Sequence, residues 1–405
     1  MLWRAFIPIL LTITAFSMGQ GVFAADAGQR AFLTVDDVLR AEPLPSATVV
    51  MRLKAGQAVR AGERRGFWRR VEVAAASTGT TGAAGWLRLS TLRLPNARPA
   101  PGLAALNTGR EAGGNVALVS GARSVAGRGV PISAEALRAA KADESTWSSI
   151  ATSPMDPATR ARFIAEGGLV KRPLAALAVV LPSGQAVMAE GVSPTALERE
   201  LAGKIFALAR PVSDPALQGY LARVGDVLID ALPEARRKTA VSWRFVLLDT
   251  PSIMAFALPE GLVLVSRGLF AELVSEDELA AVLAREMVHV QRRHHWRALR
   301  SPALDTYLRP LPAELEFLAD EEGMRLAALA GYDSTALIAV LERIDAATAA
   351  GRDTSLLRSL LPSVSDRVAT LAAAVTPELE RAAVPSAAAQ RIRRFGTERL
   401  GGSEK

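Results

Sequence analysis

Residues 275–295, SEDELAAVLAREMVHVQRRHH, carry the pattern that decides the fold of the second half of the chain. Ser275, followed three residues later by Glu278, predicts a capping box, and the acidic residues there lie at the positive end of the helix dipole. Apolar residues then recur at helical spacing as far as Val290, and Glu286 lies on the same stripe. An unpaired carboxylate on a buried stripe is costly, so Glu286 needs a chemical partner.

The middle of this helix, Arg285-Glu286-Met287-Val288-His289, differs at one position from the zinc signature H-E-x-x-H. That signature places two imidazole ligands on one helix face with a general base beside them. Arg285 stands at the first ligand position, where a guanidinium has no lone pair to offer and stays protonated. The segment therefore keeps a base and one ligand of a zinc site and lacks the other ligand.

A second helix is predicted from Pro312 to just before Gly331. Glu316, Asp320 and Gly323 share one of its faces at spacings of four and three residues. This helix could present a carboxylate to the first helix, and Gly323 would let the two backbones approach closely.

Two interpretations of Arg285 remain open. Its planar fork could pair with Glu316 and with Glu286, which would satisfy buried carboxylates, or its head could extend to solvent and leave Glu286 half exposed. His294 and His295 follow His289 by five and six residues, rotated by about 140° and 240° around a continuing helix. We therefore expect both rings to point away from His289.

Residues 194–371 as a whole resemble the zinc metallopeptidase family of HtpX-like and CAAX-prenyl-protease-like enzymes, peptidase family M48. The resemblance rests on the helix quoted above and on VSDPALQGYLARVGDVL, WRFVLLDTPSIMAFALPEGLVLVSRGLF and ELEFLADEEGMRLAALAGYD. It implies an α+β, mostly helical gluzincin-type domain with a small β-sheet and a catalytic zinc. It also implies that Glu286 is the general base, that His289 and Glu316 are metal ligands, and that Asp320 is a catalytic-site partner of Glu316.

The chain departs from the family pattern at several positions. Arg285 replaces the first ligand histidine, Met254 replaces the asparagine of an N-A-F-A segment, and Glu260 replaces a glycine of P-G-G. Leu361 stands where the family often has a histidine, whereas Arg367 matches the family arginine. Zinc is thus implied by the resemblance and placed in doubt by the ligand set.

Residues 25–95 predict a small all-β barrel with short strands separated by Gly-, Ser- and Thr-rich turns. The predicted strands are Ala47–Leu53, Gln57–Val59, Trp68–Val73 and Gly85–Leu94. With Gly56, Trp68 and the Gly85-Trp86 pair, the region resembles bacterial Src-homology-three-like domains, which implies binding of peptide or peptidoglycan. We expect Trp68 and Trp86 to fill the core of this barrel.

Residues 1–24 have the form of a secretory signal peptide, with Arg4 before an apolar run and a cleavage point before Ala25. The run is well below the roughly 20 residues that a spanning helix needs. We therefore expect an exported protein, periplasmic or secreted, with no transmembrane span after signal removal. The chain has no cysteine, which excludes disulfides and thiolate metal sites.

The formal net charge of +7 would allow binding to anionic lipid, cell-wall polymer or nucleic acid. Acidic residues are interleaved throughout, and no basic cluster in the sequence carries aromatic residues for stacking. We therefore expect no nucleic-acid partner.

The remaining boundaries follow from composition and periodicity. Residues 96–190 are predicted to be a linker region with short helices at Ser133–Asp143 and Asp156–Glu166 and a strand pair within Leu174–Ala189. Residues 191–375 form the metallopeptidase-like domain and residues 376–405 a C-terminal tail.

Three functions fit this sequence. The first is a degenerate peptidase that binds polypeptide or cell-envelope material such as peptidoglycan or outer-membrane protein. The second is an active zinc metalloendopeptidase with a replacement ligand, either Asp320 or a residue of the linker. In it the metal activates water, Glu286 takes the proton, and substrate pairs along the strand Leu262–Val265. The third makes the barrel the functional part and the rest a scaffold.

Overall fold

The computed structural model describes residues 29–74, 82–93, 132, 134–150, 155–172, 193–237, 241–295, 311–352 and 362–396. In this part of the chain an antiparallel sheet precedes a mostly helical region, so the α+β prediction is confirmed. The predicted signal peptide, the strand pair within Leu174–Ala189 and Leu361 lie outside the described residues.

The N-terminal sheet contains seven strands in the order β3-β2-β6-β5-β4-β1-β7. They are β1 (Gln29–Leu33), β2 (Asp37–Arg40), β3 (Val49–Leu53), β4 (Ala58–Arg65), β5 (Trp68–Val73), β6 (Ala83–Arg88) and β7 (Leu92–Arg93). The sequence reading missed β1 and β2. Strands β3 and β7 are the two ends of the sheet and do not pair with each other, so the prediction of a closed barrel was wrong for the described residues.

One face of this sheet forms a small core. Its buried residues include Ala31, Leu39, Val71 and Leu87, which alternate along the strands with residues of the opposite face. Trp68 is buried but does not belong to this core. Its indole nitrogen donates to Glu380 Oε1 at 3.1 Å, and Glu380 lies in the second half of the chain. The tryptophan thus joins the sheet to the helical region.

Three short helices follow: α1 (Ala134–Ala139), α2 (Glu144–Ser149) and α3 (Pro157–Glu166). Asp143 and Asp156 cap α2 and α3 by accepting from backbone amides of the first turn. Leu137 and Phe163 are buried in the cores of the helical region. This segment therefore packs on the residues that follow it.

The helical region holds a three-stranded sheet and ten further helices among the described residues. The strands are β8 (Arg244–Leu248), β9 (Ala255–Ala257) and β10 (Leu262–Ser266). The helices are α4 (Pro194–Leu208), α5 (Pro215–Ala231), α6 (Glu234–Arg237), α7 (Arg267–Glu272), α8 (Glu276–Gln291), α9 (Ala313–Leu329), α10 (Ala336–Ala349), α11 (Val364–Ala373), α12 (Pro377–Arg381) and α13 (Arg393–Gly396). The main core lies between α5, α8 and this sheet, where Leu221, Val263 and Leu283 are fully buried.

The N-terminus of α8 is capped as its sequence predicts. Ser275 Oγ accepts from the amide of Glu278 at 3.2 Å, and Glu278 Oε2 accepts in return from the amide of Val274 at 2.8 Å. The close approach expected at Gly323 is also confirmed, because a Cβ added there would lie 2.7 Å from Arg285 Cα. Helices α8 and α9 therefore touch backbone to backbone beside Arg285.

The expected C-terminal tail is folded over residues 377–396 and packs on the start of α8. Arg391 pairs with the fully buried Glu276, which also accepts from Tyr220 Oη at 2.9 Å and Tyr332 Oη at 3.1 Å. These contacts fix the helix that carries the zinc-like signature. Within the described ranges, none of the helices is long and apolar enough to cross a membrane.

Candidate active site

Helices α8 and α9 bring the predicted site residues together. Arg285, Glu286 and His289 come from α8 and Glu316 and Asp320 from α9, and all five are buried. The two sets of residues thus lie on the facing surfaces of α8 and α9, as the helical spacing in the sequence predicts.

The Arg285 side chain donates to three carboxylates. Its Nε lies 2.8 Å from Asp320 Oδ1, while Nη1 binds Glu286 and Nη2 binds Glu316. Only 6% of the residue is exposed, so the interpretation in which its head extends to solvent was wrong and the paired interpretation is confirmed. Asp320 was the partner that the sequence reading of Arg285 missed.

A second arginine completes the network. Arg367 on α11 makes a bidentate contact with Asp320, with Nε to Oδ2 and Nη2 to Oδ1 both at 2.7 Å. The sequence identified Arg367 as the family arginine but gave no partner for it. Two guanidinium groups therefore face three carboxylates within one buried cluster.

The pKa shifts follow from this arrangement. Burial raises the pKa of Glu286, and the nearby Arg285 only partly opposes that rise. Burial also lowers the pKa of Arg285, but the carboxylates of Glu286 and Glu316 outweigh that effect and hold it above its usual value. Arg285 is therefore charged at any physiological pH.

The three histidines of the chain meet at the end of α8, and the expectation that His294 and His295 point away was wrong. His294 Nδ1 lies 3.2 Å from His289 Nδ1, and the His295 ring stacks on His289 with centroids 5.4 Å apart. The helical rotation does not apply because α8 ends at Gln291 and Arg293 has a φ of 53°. Burial lowers the pKa of all three rings, to about 2 for His294 and about 3 for His295, which favours the neutral form.

A zinc ion is plausible from the family resemblance, but these residues do not fit one. A catalytic zinc needs three protein ligands and an open position, and here the Arg285 guanidinium is bonded to Glu286, Glu316 and Asp320. Among the described residues, His289 Nε2 is buried without a hydrogen-bond partner and lies 3.5 Å from Glu316 Oε2, too long for a hydrogen bond. Across the described ranges, no three His, Asp or Glu residues are arranged to hold a metal ion.

A cavity of about 380 Å³ opens beside the ion-pair network. Arg285, Glu286 and Arg367 line it together with apolar residues from α7, α8, α10 and α11. The apolar residues are Leu269, Val282, Leu337, Val340, Leu341, Ile344 and Val364. Sequence reasoning missed this cavity, because α10 has no chemical signature and resembles any buried amphipathic helix.

Strand β9 borders the cavity through Ala255. In the small sheet β9 pairs with β10 on one side and has no strand on its other side among the described residues. Strand β10 is central, with β8 and β9 on its two sides, so the expectation that substrate pairs along Leu262–Val265 was wrong. Of the two terminal strands, β8 is bridged by Pro211 at Leu248, whereas β9 is the edge that adjoins the cavity.

Two other departures from the family pattern lie away from the network. Met254 is buried among residues of α4 and the small sheet, and its amide donates to Ser266 Oγ at 3.1 Å. The amide of Glu260, in the turn between β9 and β10, donates to Glu198 Oε2 at 2.5 Å. Burial raises the pKa of Glu198 to about 7.

Part of the chain is similar in sequence to known peptidases. Residues 215–307 match the model of peptidase family M48. The chain is 36% identical over 88 residues to the beta-barrel assembly-enhancing protease of Yersinia pestis, a match that covers 22% of the chain and 17% of that protein. It is 30% identical over 152 residues to the mitochondrial metalloendopeptidase OMA1 of Schizosaccharomyces pombe, covering 32% and 45%.

The protein of the same name from Arabidopsis thaliana is 29% identical over 126 residues, with 26% of each chain covered. The chain thus spans less than half the length of these curated relatives. The matched residues run from α5 through α8 and include Arg285, Glu286 and His289. Residues 215–307 are therefore similar to peptidase family M48, a family of zinc metallopeptidases.

Proposed function

We propose that this protein is a metallopeptidase-family member that binds polypeptide beside α8 and has lost the hydrolytic step. One observation carries the proposal, namely that Arg285 binds Glu286, Glu316 and Asp320 at once. A fixed positive charge stands at the ligand position, where it repels a metal cation and compensates the carboxylates that would otherwise be buried without one.

The state of Glu286 supports the loss of hydrolysis. A general base must accept a proton from a water molecule within hydrogen-bond distance. Glu286 is 3% exposed and one of its oxygens is held by Arg285, so it is committed to an ion pair. The arrangement favours a stable ion pair over proton transfer.

The cavity and β9 support polypeptide as the ligand. An extended peptide can add to an open sheet edge through its main chain while its side chains enter adjoining pockets. The β9 edge adjoins a cavity whose apolar walls suit an aliphatic or aromatic side chain.

Export and the kind of partner are also part of the proposal. The predicted signal peptide and the likeness to a protein named beta-barrel assembly-enhancing protease both favour the cell envelope. The expected partners are polypeptides such as outer-membrane proteins, or peptidoglycan, rather than nucleic acid. The proposed setting is the periplasm or the exterior of the cell.

Metal analysis and a protease assay test the loss of hydrolysis. We expect the purified protein to contain zinc far below one ion per chain and to leave casein intact. Arg285→His restores a ligand position next to His289 and Glu316, and we expect this variant to take up zinc. Stoichiometric zinc together with casein cleavage in the unaltered protein would show that the proposal is wrong.

A second candidate, an active zinc metalloendopeptidase with an atypical ligand set, is favoured by one observation. His294 and His295 both contact His289 beside Glu316, which brings additional neutral imidazoles to the site. If the unaltered protein binds zinc and His294→Ala abolishes that binding, this candidate replaces the first.

A further inference from the structure

The N-terminal sheet holds nearly all of the net charge of the protein. Residues 29–93 contain 11 Lys and Arg residues against 5 Asp and Glu residues, which is +6 of a total of +7. The rest of the chain is almost balanced. Electrostatic attraction to an anionic partner would therefore be directed at this sheet.

The strand register collects arginines on the outer face, opposite the small core. Arg30 on β1 lies directly across from Arg60 on β4, and Arg60 lies across from Glu72 on β5. Arg70 precedes Glu72 by two residues and so projects from the same face. Three neighbouring strands thus place these arginines around a single carboxylate.

The same face continues across the other half of the sheet. Arg70 lies across from Trp86 on β6, and Trp86 lies across from Arg40 on β2. Two residues before Arg40, Val38 lies across from Arg52 on β3. We call Arg30, Arg40, Arg52, Arg60 and Arg70 together the outer basic face.

Within the part of the chain that the structure describes, most of this face is not neutralised by acidic side chains. Arg30, Arg52, Arg60 and Arg70 are exposed, and none of them forms an ion pair with another described residue. By contrast, Arg64 and Arg69 pair with Glu342 and Arg88 pairs with Glu380, where the sheet meets the helical region. The sheet therefore uses some arginines for docking and leaves the outer basic face available.

Apolar side chains lie at one end of this face. Val49 and Val50 on the terminal strand β3 are 47% and 44% exposed, and Val49 lies across from Arg40 at a register shift between β2 and β3. Exposed aliphatic side chains next to arginines suit the boundary between lipid headgroups and acyl chains.

The aromatic residues argue against nucleic acid. The ring of Trp86 is covered by Arg65 and the ring of Trp68 by Arg88, with centroid distances of 5.1 and 4.9 Å. Both residues are buried, so neither offers an open ring on which a base could stack.

We propose that the outer basic face binds the surface of an anionic phospholipid membrane, with its arginines on the phosphates and Val49 and Val50 in the headgroup boundary. Arginine suits this role because its planar fork matches phosphate geometry. The proposal concerns the N-terminal sheet and is independent of the function proposed for the α8 site.

Sedimentation with vesicles tests the proposal, using the chain from Ala25 onward so that the apolar leader does not itself insert. The probes are vesicles of phosphatidylcholine alone and vesicles that also contain phosphatidylglycerol. We expect binding only to the anionic vesicles, weakening as salt is raised. The combined variant Arg30→Gln, Arg60→Gln, Arg70→Gln should bind roughly 100-fold more weakly.

The matched control is Arg162→Gln, Arg199→Gln, Arg381→Gln, which removes the same charge from exposed positions outside the sheet. It should retain binding, and Val49→Ser with Val50→Ser should weaken the binding that survives at high salt. Equal losses in the two triple variants would mean that net charge alone acts, which overturns the proposal. The absence of binding to anionic vesicles, or tighter binding to duplex DNA, would also overturn it.

Discussion

Arginine is concentrated both between α8 and α9 and on the outer face of the N-terminal sheet, but its surroundings differ. Arg285 and Arg367 are buried and bonded to carboxylates, whereas Arg30, Arg60 and Arg70 are exposed and have no ion-pair partner among the described residues. Removing one partner from a buried pair leaves an uncompensated charge, while an exposed charge is screened by water and salt. The first cluster should therefore govern stability and the second should govern encounters with other molecules.

The largest expected effect comes from Arg285→Ala. It leaves Glu286 and Glu316 buried without their shared cation, while Asp320 keeps Arg367, and we expect the free energy of unfolding to fall by about 3–5 kcal/mol. Glu286→Ala should cost less, because Arg285 keeps two carboxylate partners in that variant. Chemical denaturation of both variants measures the difference, and equal stabilities would refute the idea that Arg285 compensates the carboxylates.

The next effect is a pH dependence of stability that arises from Glu198, a buried carboxyl group outside both arginine clusters. Burial raises the pKa of Glu198 to about 7 from 4.5, so the folded state holds a proton that the unfolded state releases. The contribution of Glu198 to stability is therefore complete below pH 4.5 and is lost as pH rises through 7, about 3 kcal/mol in all.

The variant Glu198→Gln should be less sensitive to pH over that range. Arg244 and Glu260 are the charged neighbours that act on this group, and both remain in the variant. Thermal unfolding at pH 5 and pH 8 makes the comparison. A variant whose melting temperature changes with pH as much as that of the unaltered protein would contradict the assignment to Glu198.

A smaller effect is expected from Gly323→Ala, which tests the packing around the buried cluster. The new Cβ would lie 2.7 Å from Arg285 Cα, so α8 and α9 must separate, at a cost of about 1–3 kcal/mol. Gly219→Ala in α5 is a matched control, because the nearest atom to its added Cβ belongs to the flexible Arg223 side chain at 3.4 Å. The control should gain stability from helix propensity, so a loss as large as that of Gly323→Ala would point to a cause other than this contact.

The smallest effect should come from the exposed cluster. Arg30 and Arg60 lie directly opposite each other, and like charges in that position repel. Arg60 also lies across from Glu72, so Arg60→Gln removes a repulsion and an attraction of similar size and should change stability by less than about 1 kcal/mol. A clear loss of stability in chemical denaturation would mean that the outer basic face is a structural element, and the contrast between the two arginine clusters would fail.

Much of the α8 site could be predicted from sequence because its information is local. The spacing of Glu286 and His289 on one helix and of Glu316, Asp320 and Gly323 on another follows from 3.6 residues per turn. The directions of His294 and His295 were predicted wrongly because the helical repeat applies only as far as the helix extends. Arg293 adopts a φ of 53° immediately before His294. The cavity was missed because its walls come from helices that are distant in the chain and chemically ordinary.

By itself, the sequence determined the capped helix α8, the facing helix α9, the replacement of a ligand histidine by Arg285 and the resemblance to a metallopeptidase family. Periodicity and residue chemistry act over a few residues, so they are readable without coordinates. Tertiary structure alone decided that Arg285 binds all three carboxylates, that β10 is central and β9 is the edge beside the cavity, and that scattered arginines form one outer face. Those outcomes depend on strand order and on which elements pack together, which are set by contacts between residues far apart in the chain.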